Sequence, residues 1–202
     1  MAAAVLAMTP FAADGNYGAA LNAALDLLPE DAWACIVDHD AMFTTPHWHA
    51  QLTEAIAAAP QAGAFVACTN RAARAWQRAG DAAINDIAWH RRFGLERAKL
   101  RTLLDVSDTR GWAGVCFAVS KAAWRAAGGF ADGLGCVDHS LHYGLRRIGR
   151  PVYLLEGLYV FHWRHHLEPD PTTRFPKAPG CPCLRAPDVT PAQRIALPSL
   201  AA

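Results

Sequence analysis

The sequence lacks several patterns whose absence argues against whole classes of protein. No stretch of the 202 residues approaches the roughly 20 consecutive apolar residues of a membrane-spanning helix, so we expect no membrane span. No Lys or Arg precedes the apolar residues 1–8, which favours a first strand there over a secretory signal. No C-x-x-C pair occurs among the six cysteines, which argues against a zinc ribbon.

The cysteines indicate a reducing compartment instead. Four of them lie inside apolar segments, where a thiol behaves as a small hydrophobic group: Cys35, Cys68, Cys116 and Cys136. The other two form Cys181-Pro182-Cys183 in the Pro-rich C-terminal part, and without a second pair this spacing does not predict zinc. We therefore expect a cytoplasmic protein.

Basic residues are missing from the first third of the chain. Residues 1–70 contain seven acidic residues and no Lys or Arg, whereas residues 71–202 hold all nineteen bases against eleven acids. A basic second half suits an anionic ligand or acceptor, although scattered solvated charges are the commoner cause. If DNA is the acceptor, the basic residues that would contact it are Arg91, Arg92, Arg97, Lys99, Arg101, Arg146, Arg147 and Arg150.

The first half of the chain has an element order that predicts an α/β fold. Strands are expected at residues 3–8, 33–37 and 63–68, with helices at residues 17–28 and 44–58 between them. This β-α-β-α-β order is typical of a mainly parallel, mixed sheet with helices on its faces.

The second half continues the alternation of strands and helices. Residues 71–104 are predicted as a basic helix in which Asp86 and His90, one turn apart, form a surface pair or a site element. Strands are then expected at residues 115–119, 152–155 and 158–161, and helices at residues 120–127 and 137–148. We predict a single domain over residues 1–168 and a Pro-rich lid or tail over residues 169–202.

The apolar run at residues 33–37 ends in Asp38-His39-Asp40. Side chains at i and i+2 of a strand point to the same side, so Asp38 and Asp40 can converge on one cation while His39 faces away. Ligands of open α/β sheets bind at the carboxyl ends of strands. Two carboxylates with room for phosphate and water suit Mg²⁺ or Mn²⁺ better than Zn²⁺. The alternative is a pair of solvated turn aspartates that cap the next helix.

Other polar residues at element ends are candidate site residues with structural alternatives. Thr69 and Asn70 close a strand, and a helix cap is slightly favoured over a site role for them. Trp112, flanked by glycines, either stacks its ring on a sugar or fills the core under a tight turn. Asp138 opens a helix, where a cap is as good an interpretation as a site.

Histidines cluster at the end of the last predicted strand. His162, His165 and His166 fall within five residues, a density that is rare outside metal sites or basic tails. His162 stands at the strand end itself, so it is the candidate metal ligand of the three.

In their order along the chain, these segments resemble the family-2 glycosyltransferases of the GT-A fold, in particular a short bacterial and phage-type branch. The resemblance covers about residues 3–166. The matching segments, by the family feature that each resembles, are Thr9-Pro10-Phe11 (nucleotide-sugar loop), Asn16, Gly18 and Asn22 (the following helix), Asp38-His39-Asp40 (D-x-D metal motif), Gly128-Gly129-Phe130 with Val137-Asp138 (Gly-Gly-Phe and Glu-Asp segment) and His162 (late metal-binding histidine).

This resemblance implies a Rossmann-like GT-A domain and an inverting hexosyl or pentosyl transfer. Asp38, Asp40 and His162 would hold Mn²⁺ or Mg²⁺ against the donor diphosphate, and Asp138 would be the general base. The implied donor is a nucleotide sugar, with a UDP-sugar expected. Its binding residues would be Thr9, Pro10, Phe11, Asn16, Asn22, Asp38 and Arg164, and the acceptor-binding residues would be Trp112 and Gly114.

Three alternatives to this function stay open. The first is a catalytically inert nucleotide-sugar-binding module of the same fold, because Val137 stands where the family commonly has an acid. The second is a transferase whose acceptor is a modified base of phage DNA rather than a glycan or small molecule, since the second half is basic. The third is a metal-dependent hydrolase built from the same Asp and His ligands.

Overall fold

The computed structural model describes residues 4–163, 181, 183, 185–187 and 189–198 of the chain. Within these residues, five helices flank one open mixed sheet of eight strands, an α/β architecture. The strands are β1 (Val5–Met8), β2 (Trp33–Val37), β3 (Ala41–Phe43), β4 (Ala64–Thr69), β5 (Thr102–Asp105), β6 (Cys116–Ser120), β7 (Val152–His162) and β8 (Arg194–Ala196). The helices are α1 (Tyr17–Asp26), α2 (Trp48–Ala58), α3 (Ile87–Arg97), α4 (Lys121–Ala127) and α5 (Val137–Arg147), with a short 3-10 helix at Ala75–Gln77.

The sheet is mixed, and most of its described pairings are antiparallel. The strands lie in the order β1-β2-β6-β4-β7-β5-β8, and β3 pairs with the end of β7. β1 is parallel to β2 and β4 to β7, whereas the other five pairings are antiparallel. The expectation of a mainly parallel sheet is therefore wrong. β6 runs back between β2 and β4 and is antiparallel to both.

Helices cover both faces of the sheet, and the burial of β2 demonstrates this. Its five residues are all buried, and alternate side chains enter different cores. Ala34 and Ile36 pack with residues of α1, α4 and α5, whereas Trp33, Cys35 and Val37 pack with residues of α2. A strand that is buried on both faces has a continuous apolar sequence, which is why this strand was predictable.

The predicted long helix over residues 71–104 is wrong. The chain there forms a loop, the 3-10 helix, α3 and β5. Gln77 ties the loop to the sheet, because its buried Nε2 donates to the carbonyls of Ala67 (3.2 Å) and Ala113 (2.9 Å). Gly80 follows with a φ of +72°, a left-handed conformation that stops helical geometry.

Asp86 and His90 do not form the predicted surface pair. Asp86 caps α3 by accepting from the backbone N–H of Ala88 (2.8 Å), and His90 is buried. Nε2–H of His90 donates to the carbonyl of Ile84 (2.9 Å), and Nδ1 accepts from the Tyr159 hydroxyl (2.7 Å). Both ring nitrogens are thus used inside the core, so His90 supports the fold.

β7 is one strand where the sequence predicted two. Its pairing with β4 jumps from Ala67–Leu155 to Cys68–Tyr159, so the residues between bulge out without ending the strand. Gly157 was expected to turn the chain. Instead it allows a close backbone approach, because a Cβ there would lie 2.3 Å from the carbonyl oxygen of Leu100.

Part of the predicted C-terminal tail belongs to the sheet. β8 pairs antiparallel with β5, and Arg194 forms an ion pair with Glu156 of β7 (3.0 Å). This segment is therefore an edge strand and not a lid. Among the helices that the structure describes, none combines the length and the apolar character needed to cross a bilayer.

Candidate functional site

Several strands end at one edge of the sheet, where the sequence predicted a site. β1 and β2 are parallel, β4 and β7 are parallel, and β6 is antiparallel to both β2 and β4. The carboxyl ends of β1, β2, β4 and β7 therefore share this edge, which is where open α/β sheets bind ligands. Asp38 follows β2, and His162 ends β7.

Asp38, Asp40 and His162 come together at this edge. One ligand atom from each lies within 4.8 Å of the other two, and Oδ1 of Asp40 is 3.3 Å from Nε2 of His162. The chain turns after Asp38, whose carbonyl accepts from the N–H of Ala41 (3.0 Å), and Ala41 then pairs with His162. The two aspartates thus meet through a turn and a strand pairing, and not through alternation along one strand as predicted. His39 is exposed, as expected.

The ring of His162 is held with Nε2 toward the aspartates. Its Nδ1 lies 2.8 Å from the carbonyl oxygen of Arg71, and because a carbonyl only accepts, Nδ1 carries the proton. The backbone N–H of His162 donates to Oδ1 of Asn70 (2.8 Å). In a neutral ring this leaves the Nε2 lone pair facing Asp40, the arrangement that second-layer carbonyls impose on metal-ligating histidines. Thr69 and Asn70 are both buried and precede no helix, so the predicted helix cap is wrong.

The electrostatics of this cluster favour a bound cation. Burial raises the pKa of Asp38 from 3.8 to about 7, opposed by the charge of His162 and reinforced by the charges of Asp40 and Asp138. When the ring is protonated, Nε2–H of His162 donates to Asp40, and this hydrogen bond holds the pKa of Asp40 below its usual range. Three carboxylates therefore influence one small volume, and a divalent cation there would offset their repulsion.

A cleft of about 420 Å³ lies beside the cluster. Its lining includes Asp38 and His162, together with Arg71, Arg74 and Asp138. A cleft of this volume is large enough for a small-molecule ligand. Carboxylates and guanidinium groups in one cleft suit a ligand that binds a cation on one part and exposes anionic groups on another.

Asp138 is positioned by the first turn of α5. It is not the helix cap, because Cys136 occupies the N-cap position and Oδ1 of Asp138 accepts only from the adjacent N–H of His139 among the bonds described (2.9 Å). A Cβ added to Gly114 would lie 3.6 Å from Oδ2 of Asp138, so the glycine leaves room beside this carboxylate. Both residues line the cleft.

The structure favours a core role for the ring of Trp112. The side chain is fully buried, with its ring tilted on Phe117 and edge-on to His142. A ring in this position cannot stack on a sugar, so the stacking expected for Trp112 is wrong and only its backbone region borders the cleft. Gly114 lines the cleft, and its contact with an acceptor stays a prediction.

The predicted donor-binding residues lie in two environments. Thr9, Pro10 and Phe11 follow β1 at the same sheet edge as Asp38, and the ring of Phe11 is 85% exposed. Asn16 instead caps α1 and also accepts from the N–H of Gly133 (2.7 Å).

Asn22 holds the segment after α4 in place. Its Oδ1 accepts from the Trp124 indole (2.9 Å) and from the Phe130 N–H (2.8 Å), while its Nδ2 donates to the Phe130 carbonyl (2.9 Å). These bonds use both acceptor positions of Oδ1 and one of the two N–H groups of Nδ2, so they give Asn22 a structural role, and its contact with the donor stays a prediction. Arg164, the remaining donor-binding prediction, lies outside the described residues, as do His165 and His166.

Sequence reasoning missed Arg74, which lines the cleft, and Tyr17, whose hydroxyl is influenced by the charges of Asp38 and Asp138. Arg74 donates through Nε to the carbonyl of Gly111 (2.8 Å), and its Nη2 lies 2.9 Å from Nε2 of His139. Tyr17 begins α1, and burial together with the charges of Asp38 and Asp138 raises the pKa of its hydroxyl. No local signal marks Arg74, whereas Tyr17 could have been found as the first helical residue after the predicted nucleotide-sugar loop.

The basic residues that might meet DNA are partly engaged within the protein. Arg91 and Arg92 are exposed on α3. Four others contact groups within the protein: Arg97 contacts the Cys68 thiol, Arg101 contacts Glu54, Arg146 contacts Asp108, and Arg147 contacts the Ala127 carbonyl. These partners lie on different elements, so the contacts do not define one continuous basic surface.

No protein-family model matches the chain, and no curated protein matches it. The described architecture is α/β with an open mixed sheet. Its assignment to the GT-A fold and to the glycosyltransferases rests on the sequence motifs alone, so both are proposals that depend on the chemistry of the site.

Proposed function

We propose that the protein is a metal-dependent inverting glycosyltransferase that transfers a sugar from a nucleoside-diphosphate sugar to an acceptor hydroxyl. The donor that we expect is a UDP-sugar. The observation that carries the proposal is the convergence of Asp38, Asp40 and His162 beside a cleft that also contains Asp138. Asp38 and Asp40 come from the turn after β2, His162 ends β7, and Asp138 lies in α5. They are also the residues that the family resemblance implies for metal and base.

The donor atoms fit a divalent cation that prefers oxygen and accepts one imidazole. Asp38 and Asp40 supply carboxylate oxygens, and His162 supplies Nε2 with its proton fixed on the opposite nitrogen. Mn²⁺ takes this mixed set readily, and Mg²⁺ takes the carboxylates with water. When bound, the ion would act as a Lewis acid that offsets the negative charge on the leaving diphosphate.

The chain's own residues supply the remaining chemistry. Asp138 would accept the proton of the acceptor hydroxyl while that oxygen attacks the anomeric carbon from the side opposite the diphosphate. The C–O bond to the sugar forms as the bond to the diphosphate breaks, so a single displacement inverts the anomeric configuration. The space beside Gly114 is where an acceptor hydroxyl can approach Asp138.

Transfer from a panel of nucleotide sugars in the presence of Mn²⁺ tests this proposal. The variants are Asp40→Ala and Asp138→Asn, with Asp31→Ala as a control because Asp31 is an exposed carboxylate of a distant turn. Asp40→Ala is expected to lose both Mn²⁺ binding and transfer. Asp138→Asn is expected to keep Mn²⁺ and donor binding but to lose transfer.

Three outcomes would contradict the proposal. Full activity in both site variants would remove the site assignment. Donor binding by calorimetry without turnover on any acceptor would favour an inert binding module. Sugar release to water at one rate with and without acceptors would favour a hydrolase.

A further inference from the structure

A second cluster of ligand-type side chains lies at the start of α5. It consists of Cys136 and His139 from the helix and Cys181 and Cys183 from the C-terminal segment. One ligand atom from each residue lies within 4.8 Å of all the others. Cys183 is fully buried and Cys181 is 9% exposed, so the cluster is closed from solvent on that side.

One sulfur–sulfur distance in this cluster matches that of a tetrahedral zinc site. Two thiolates bound to one zinc at about 2.3 Å stand about 3.8 Å apart in tetrahedral geometry. Sγ of Cys136 lies 3.8 Å from Sγ of Cys183. Sγ of Cys181 lies 2.9 Å from Sγ of Cys183, which is too short for two thiolates on one zinc, so one of these two side chains has to rotate when an ion binds.

The backbone around these residues is built to hold them together. Cys136 has a φ of +62° and is the one non-glycine residue with positive φ in the part of the chain that the structure describes. Such strain persists only where surrounding contacts enforce it, and it clusters at functional sites. Arg110 adds a second constraint, because its Nε donates to the carbonyl of Cys183 (3.2 Å).

Three thiols within one small volume have few partners to offer one another when no cation is present. A divalent metal would replace the protons of the thiols and be bound by thiolates.

We propose that Cys136, His139, Cys181 and Cys183 bind a structural zinc ion that fastens the C-terminal segment to the first turn of α5. Three thiolates and one imidazole are a ligand set of closed, structural zinc sites, which keep no position for substrate. Asp138 lies between two of the ligands in the chain, so the ion also fixes the turn that carries this carboxylate. The proposal does not depend on the glycosyltransferase function, because it concerns other ligands and another metal.

Metal analysis of the whole protein tests this inference. The chain is produced with zinc in the medium, and metal content is measured by plasma mass spectrometry after gel filtration. Stoichiometric zinc is expected in the wild type and in Asp40→Ala. Cys136→Ser and Cys183→Ser are expected to lose most of the zinc. The control is Cys68→Ala, which removes a buried thiol of β4 outside the cluster and should keep the zinc.

Cobalt substitution keeps the test decisive if a variant fails to fold. Wild-type protein loaded with Co²⁺ is expected to give the intense ligand-field and thiolate charge-transfer bands of a tetrahedral sulfur site. Absence of zinc together with absence of these bands would overturn the proposal, as would a Cys181–Cys183 disulfide found by mass spectrometry of freshly purified protein. Zinc retained in full by both serine variants would also overturn it.

Discussion

Two groups of ligand-type residues flank the first turn of α5, and they differ in chemistry and in access. The cluster of Asp38, Asp40 and His162 offers two carboxylates and an imidazole beside an open cleft. The cysteine cluster offers three thiols and an imidazole, with two of the thiols buried. Two carboxylates and an imidazole beside open space suit a metal that must also meet a substrate. Three thiols and an imidazole in a closed set suit a metal that only holds the chain. One helix turn therefore separates a candidate reactive site from a candidate structural one.

The Asp138→Asn substitution is expected to have the largest effect, which is a loss of sugar transfer. The amide cannot accept the acceptor proton, so we expect kcat to fall roughly 1,000-fold, within the range of general-base catalysis. Mn²⁺ and zinc content should be unchanged, since Asp138 is a ligand in neither cluster. Steady-state kinetics with parallel metal analysis measures both. A loss of zinc in this variant would mean that the two groups are not separable.

Zinc removal should affect folding more than Mn²⁺ removal. A metal present at 1,000 times its Kd stabilises the folded chain by about 4 kcal/mol, which is roughly 10 °C in Tm for a chain of this size. Mn²⁺ at ten times its Kd contributes only about 1.4 kcal/mol. Calorimetric melting after each metal is removed selectively distinguishes them. Equal shifts in Tm on removal of either metal would show that the two sites contribute equally to stability, which would contradict this prediction.

The pH dependence of Mn²⁺ binding follows from the raised pKa of Asp38. Below a pKa of about 7 the carboxyl must lose its proton before it can bind metal, so Mn²⁺ affinity should fall as pH falls. Well below this pKa the affinity should fall about tenfold per pH unit. Between pH 7 and pH 5 the fall is about 50-fold, because half of the carboxyl groups are already protonated at pH 7. Titration calorimetry at several pH values measures this change.

The control for this pH dependence is Asp38→Asn, which keeps an oxygen ligand but has no proton to lose. It should bind Mn²⁺ more weakly and with a flatter pH profile. In the metal-free wild type, the pH dependence of stability is opposite to that of Mn²⁺ affinity. Ionisation of a carboxyl whose pKa is raised opposes folding, so the contribution of Asp38 is lost as pH rises from 3.8 to about 7. A wild-type affinity that does not change with pH would contradict the buried environment of Asp38.

A smaller effect is expected from Asn70→Ala. This change removes the acceptor of the His162 backbone N–H and loosens the residue that presents Nε2 to Asp40. Loss of an outer contact of this kind weakens metal binding about tenfold. Zinc content should not change, and an effect on zinc equal to that on Mn²⁺ would point to general loss of folding.

The smallest effect is expected from Gly114→Ala. The added methyl would lie 3.6 Å from Oδ2 of Asp138, an ordinary contact that narrows the space without moving the backbone. We expect KM for the acceptor to rise a few-fold, with kcat and both metals unaffected. A change in kcat alone would instead indicate that the methyl disturbs Asp138 itself.

The predictable parts of the fold were those with a strong local signal. β2 and β4 are almost continuous apolar runs, and α4 lies between its N-cap Ser120 and its C-cap Gly128, close to the predicted residues 120–127. Polar residues directly after such strands located Asp38. Sequence patterns did not predict the backbone conformation of residues 71–104. A hydrogen bond from the Gln77 side chain and the left-handed backbone of Gly80 set this conformation, and neither produces a helical or strand pattern in the sequence.

The cysteine cluster shows most clearly where sequence reasoning stopped. Because no second pair stands near Cys181 and Cys183, the sequence does not predict zinc there, and the apolar neighbours of Cys136 indicate a core thiol. The structure supplies the partner pair from α5, as Cys136 and His139, far away along the chain. A spacing rule detects only ligands that share one local segment.

By itself, the sequence determined which segments are buried strands, where several helices begin and end, and which polar residues stand at strand ends. These properties depend on neighbours a few residues apart, so periodicity and cap residues report them. Only the tertiary structure decided that β6 lies between β2 and β4, that Asp40 meets His162, and that three thiols and an imidazole lie close together beside α5. Those contacts join distant segments, and they form because the packing of both faces of the sheet outweighs the entropy lost on closing long loops.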